Sequence, residues 1–118
     1  MNIAPVNGKA SLAAAKYTSI YSAPANCISA TVNLRLVSQD LTKNIKTRLA
    51  IVSGAFVDGV DAPSAINWIS AVDLILGANG VPTGIMEDTG IVLSPGETIV
   101  AYADLGFVTA RVHGFVKT

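Results

Sequence analysis

Within residues 27–37, CISATVNLRLV, positions 28–36 alternate apolar and polar side chains without a break. Ile28, Ala30, Val32, Leu34 and Leu36 share one face, while Ser29, Thr31, Asn33 and Arg35 share the other. A period of two is the geometry of an extended strand, and strict alternation belongs to a strand buried on one side and solvated on the other. Such a strand needs neighbours, and the chain supplies them. IKTRLAIVS at 45–53 repeats the alternation, with Ile45, Leu49 and Ile51 inward and Lys46 and Arg48 outward. YTSIYSA, IMEDTGIVL, ETIVAYA and FVTARVHGFV have the same β-branched texture.

INWISAVDLIL at 66–76 fits two periods. Trp68, Val72 and Leu76 would share a helical face, and Ile66, Trp68, Ser70 and Val72 a strand face. Its shortness and β-branching predict two short strands. Gly, Pro, Asn and Asp punctuate the intervals between strands. In Ser94-Pro95-Gly96-Glu97, Pro presets φ near −65° and Gly accepts a positive φ, the type II pattern. That turn splays strands which a tight hairpin would keep paired, so it predicts either a wider loop or a corner between sheets. The whole predicts an all-β chain of about eight short strands, a single antiparallel β-sandwich or jelly-roll-like domain. The domain is expected over residues 16–118. Residues 1–15 are small, polar or alanine-rich, with Pro5 and Gly8 as breakers, and are expected to form an extended N-terminal arm.

The hydrophobic share is 51% and the charged share 14%, well under the usual quarter. So few charges leave a small domain short of polar cover, which predicts a partner over part of its surface. A formal charge of zero argues against a nucleic-acid binder that needs a basic stripe. The charges are nonetheless segregated along the chain. Residues 1–50 hold Lys9, Lys16, Arg35, Lys43, Lys46 and Arg48 against Asp40 alone, and residues 51–104 hold seven carboxylates with no Lys or Arg. Folding could cancel this pattern or leave patches that align identical subunits head to tail. No window reaches the roughly 18 uninterrupted apolar residues of a membrane span, and the start lacks a basic region followed by an apolar run. No membrane partner is expected.

Chemistry-bearing patterns are sparse. Cys27, the one cysteine, is expected to be a small buried hydrophobe. His113 is the one histidine; without a nucleophile and an orienting acid it reads as a strand residue at an edge or a subunit contact. Asp58-Gly59-Val60-Asp61 offers too few regularly spaced oxygens for a calcium loop, and Glu87-Asp88 reads as solvated loop acid. GANG at 77–80 lacks a phosphate-loop lysine. Trp68 with Tyr17, Tyr21 and Tyr102 could form a sugar-stacking platform, although a lone Trp in a β domain more often belongs to the core. No enzyme activity, cofactor or metal is expected.

The strand texture resembles that of small tailed-phage virion proteins. YSAPANCISATVNLRLVSQD followed by IKTRLAIVSG is similar to their pattern of a "vPa" turn, an alternating strand opening "aTvN" and a strand reading "kvrlAi". The likeness continues through a "l.anGv" loop, "tGivLspGE" and a last strand ending "vrv.GF", and spans about residues 17–117. The family commonly has an acidic or aromatic residue where this chain has Asn67 and Trp68. The resemblance implies a virion β-sandwich, made in the host cytoplasm, that acts as a head decoration (cement) protein or a small tail, neck or fibre component. No catalytic residue carries over.

These readings combine into one expectation. The protein stabilises an assembled phage capsid by contact with the major capsid protein or other virion proteins, as a homo-oligomer or symmetric array. The arm, with Asn2, Ile3, Val6 and Leu12, would cross a neighbour, and Arg35, Lys46 and Arg48 would form an outward basic row facing acidic partner loops. A glycan-binding module using Trp68 and the FVDGVD loop is the alternative from a different class.

Overall fold

The computed structural model describes residues 2–70 and 73–118. Eight strands run in the order β1 (Ile3–Leu12), β2 (Thr18–Ser22), β3 (Ser29–Ser38), β4 (Ile45–Ser53), β5 (Leu74–Leu76), β6 (Ile85–Leu93), β7 (Glu97–Ala103) and β8 (Val108–Lys117). They form two antiparallel four-stranded sheets, sheet A in the order β1-β8-β3-β6 and sheet B in the order β2-β7-β4-β5. The pairings β1–β8, β2–β7, β3–β6 and β4–β5 are those of one long hairpin rolled up on itself. β8–β3 and β7–β4 complete the sheets, which gives the jelly-roll strand order. Of consecutive strands only β4 and β5 stay in one sheet; every other connection crosses between sheets.

Ser94-Pro95-Gly96-Glu97 is such a crossing, from β6 to β7. Glu97 N–H donates to the Ser94 carbonyl at 3.1 Å, and Gly96 has a φ of 80°. The turn is therefore the corner of the two options. Glu97 locks it by accepting the Ser94 N–H on Oε1 at 2.6 Å.

Two expectations about elements are corrected. The expected arm is strand β1, paired with β8 along ten residues, with Val6 (7% exposed) and Leu12 (4%) in the core. Neither side chain is free to cross a neighbour. Of the two strands expected in 66–76, one exists as β5. The other half is a 3₁₀ turn at Ala65–Asn67, followed by a single bridge between Trp68 and Ala50. Val72, expected on the shared face, lies outside the described residues.

The core sits between the sheets. Sheet A contributes Val32, Leu34, Leu36, Leu93, Val108 and Val112, and sheet B contributes Ile45, Leu49, Leu76 and Ile99. Cys27 is buried among them as a free thiol. Ile28, expected inward, is exposed, because it precedes the first residue of β3.

The two outer faces differ. The outer face of sheet B is covered: Ala50, Val52 and Val100 are buried beneath the chain around Trp68, where Ile69 N–H donates to the Leu49 carbonyl at 3.0 Å. This accounts for the uninterrupted apolar run of β7, which has neighbours on both sides. The outer face of sheet A is open, as the alternation of β3 and β8 requires.

Candidate functional site

The open face of sheet A is built by register. Lys9 of β1 stands opposite Arg111 of β8, Arg111 opposite Arg35 of β3, and Arg35 opposite Glu87 of β6. Three cations and one carboxylate thus form a single transverse row. Arg35 Nη2 reaches Glu87 Oε1 at 2.7 Å, while Lys9 and Arg111 form no ion pair among the described residues. Lys9, Ser11, Arg35, Val37, Gln39 and Arg111 line a shallow concavity of about 500 Å³ over this row. The next row holds Asn7, His113 and Asn33; His113 Nε2 lies 3.4 Å from Asn33 Nδ2, and Asn33 Oδ1 accepts the Gly90 N–H at 2.9 Å. His113 is therefore on a central strand and not at an edge. Beyond it Phe115 (62% exposed) and Val92 (63%) open to solvent, with Ile3 (65%) one row further.

The expected row of Arg35, Lys46 and Arg48 does not exist. β3 lies in sheet A and β4 in sheet B, so Arg35 points away from the other two on the opposite side of the sandwich. Arg35 is instead joined by Lys9 and Arg111. Arg111 alternates with the buried Ala110 and Val112, and the pairing of β8 with both β1 and β3 makes the row.

Arg48 belongs to a second cluster on the outer face of sheet B. Its Nε donates to Asp73 Oδ1 at 2.8 Å and its Nη1 to the Tyr17 hydroxyl at 2.8 Å, and its guanidinium lies 4.6 Å from the Tyr102 ring centroid. Tyr17 is 4.9 Å from Tyr102 and 6.0 Å from Trp68, centroid to centroid. The hydrogen bond from Arg48 holds the Asp73 carboxyl below its ordinary range, and the Asp73 and Tyr17 bonds raise the guanidinium pKa in turn. Three of the four expected aromatics thus meet. The fourth, Tyr21, packs on the core, and burial raises its hydroxyl pKa. Lys46 stands beside this cluster, its backbone N–H donating to Asp104 Oδ1 at 2.9 Å.

Loop carboxylates fasten the chain to itself. Asp58 Oδ1 accepts from Ser19 N–H at 3.0 Å and Ser19 Oγ–H at 2.6 Å, and Asp61 Oδ2 accepts the Val57 N–H at 2.7 Å. In the GANG turn, Asn79 Nδ2 donates to the Ser38 carbonyl at 2.7 Å. Of the remaining expected contact residues, Asn2 is exposed and exchanges backbone hydrogen bonds with Thr118. Compared with known proteins, the chain matches no family model, no curated protein and no solved structure.

Proposed function

We propose that this chain is a non-enzymatic contact protein of a phage virion, a decoration or cement protein seated on the assembled shell by the open face of sheet A. The observation that carries the reading is that face: four strands wide, with exposed Ile3, Phe115 and Val92 on the same side as a row of three cations, of which Lys9 and Arg111 form no ion pair among the described residues. Apolar and charged groups side by side without internal partners are what a protein interface uses for burial and orientation. The likeness of residues 17–117 to small virion proteins supplies the setting, and the jelly-roll order agrees with it by analogy, since that fold serves viral capsid proteins as well as lectins and cupins. Repetition over a symmetric shell would turn weak single contacts into firm attachment. The corrected role of β1 moves the contact from an arm to the sheet.

The test is the copy number of this chain in purified particles, measured against the major shell protein. A ratio near unity, or a simple fraction repeated over the shell, is expected. A handful of copies per particle would make it a tail, neck or fibre component, and absence would discard the virion setting.

The meeting of Tyr17, Trp68 and Tyr102 favours a second reading, a glycan-binding module. A stacking platform needs an open ring face. Here the rings pack on one another and Arg48 lies over Tyr102, which makes sheet A the stronger surface. Binding on a glycan array, lost in Trp68→Ala, would reverse that order.

A further inference from the structure

We propose that the Lys9–Arg111–Arg35 row is a docking site for an acidic segment of a partner protein, which lays at least two carboxylates across β1, β8 and β3. This deepens the contact reading above by naming the partner's chemistry.

Directly opposed like charges on neighbouring strands repel, and here two such oppositions stand side by side, Lys9 with Arg111 and Arg111 with Arg35. A fold that needed only a solvated face would interleave carboxylates. The row contains one, Glu87, and Arg35 already holds it. The surplus is general to the face: Lys9, Arg35, Arg111 and Lys117 point outward against Glu87 alone. In a chain of eight cations and eight carboxylates, that leaves four cations against seven carboxylates elsewhere. The outer face of sheet A therefore carries a net positive charge, which would orient an acidic partner before contact.

The dimensions suit an extended segment. Three adjacent strands set the cations across two strand spacings, roughly 10 Å, and alternate side chains of an extended peptide recur at roughly 7 Å. Two carboxylates on one side of such a segment span the row, and the concavity of about 500 Å³ receives them. Guanidinium groups can grip a carboxylate through paired N–H donors. The flanking rows speak against nucleic acid. On one side are Asn7, His113 and Asn33; on the other are Ser11, Thr109, Val37 and the exposed Ile85. A phosphate backbone would want the cations to continue. A protein segment has apolar side chains for Val37 and Ile85.

The experiment titrates the isolated, isotope-labelled protein with an oligoglutamate peptide of roughly ten residues, long enough to cross the row at about 3.3 Å per residue. Amide shifts are read by NMR at low ionic strength. Saturable shifts confined to the amides around Lys9, Arg111 and Arg35 are expected. The variant Lys9→Gln/Arg111→Gln should bind at least about tenfold more weakly. Its melting temperature should be equal or higher at low salt, because repulsion is relieved, so lost binding cannot be lost folding. No shifts, shifts elsewhere, or undiminished binding by the double variant would overturn the proposal. So would tighter binding of a thymidine oligonucleotide of equal charge, or of inorganic phosphate, each run as a parallel titration. The particle measurement above does not enter this result, so the acidic partner and the virion setting can fail separately.

Discussion

Gly114 of β8 stands opposite Val32 of β3. A Cβ there would overlap the Thr31 carbonyl oxygen and stand 2.7 Å from Val32 Cα, both backbone atoms that cannot swing aside. Gly114→Ala should therefore force the central strands of sheet A apart and cost about 1–3 kcal/mol, as overpacking does, read by denaturant unfolding. Arg48 makes a different kind of local bet. Arg48→Ala removes the Asp73 and Tyr17 hydrogen bonds and the stack on Tyr102 together. The melting temperature should fall by less than for Gly114→Ala, since the pair is partly exposed and solvent-screened, and the Trp68 emission should shift as its aromatic cluster loosens. Alternation made Arg48 legible as outward. Its partners were not legible, because Tyr17 and Asp73 approach it from distant parts of the chain.

At the scale of elements, β1 is the informative case. Asn2 and Thr118 exchange both backbone hydrogen bonds, and the β1–β8 register runs without a shift. Even-numbered residues of β1 therefore bond β8, and odd-numbered residues turn their N–H and C=O groups to the free edge. Pro5 is odd, so its missing donor costs the ladder nothing, and with Lys9 it guards the edge against another strand. Ala10→Pro should lose a ladder bond and destabilise the protein, while Ser11→Pro should be nearly neutral; thermal unfolding of the two variants checks this parity. Deleting residues 2–12 should unfold or aggregate the protein, because it strips Val6 and Leu12 from the core and bares β8. The element was hard to read because its inward positions are Ala4, Val6, Gly8, Ala10 and Leu12, a weak alternation in a segment of low strand propensity. It becomes a strand because β8 offers it an edge. Likewise INWIS has the right residues for a strand, but serves as cover over Ala50.

The whole molecule responds to acid through carboxyls that folding has lowered. Arg48 depresses Asp73, and the backbone N–H groups of Thr42 and Lys43 depress Asp40. A group lowered in the folded state stabilises above its unfolded pKa, near 4, and loses that contribution as pH falls through the folded value. The melting temperature should thus hold steady above about pH 5 and drop below about pH 4. Asp73→Asn should remove part of the drop; an unchanged acid limb in that variant would contradict the assignment. Over the whole molecule the sequential segregation of charge is neither cancelled nor preserved. Lys9 and Arg35 from the first half meet Arg111 from the end, while of the carboxylates of the middle Glu87 joins this row against Arg35 and Asp73 pairs with Arg48 on the other sheet.

What the sequence determined by itself is local and periodic. Alternation in β3 and β4 set which side chains face a core and which face outward, and Pro-Gly in 94–97 marked a turn that had to be a wider loop or a corner. These follow from φ, ψ and a two-residue repeat, which neighbouring residues suffice to specify. Which outward faces belong together was decided only by the tertiary structure. Arg35 and Arg48 are thirteen positions apart and on opposite sides of the sandwich, whereas Arg35 and Arg111 are adjacent. Strand pairing in a rolled hairpin joins the ends of the chain and separates every consecutive pair of strands but β4 and β5, and no local period carries that information.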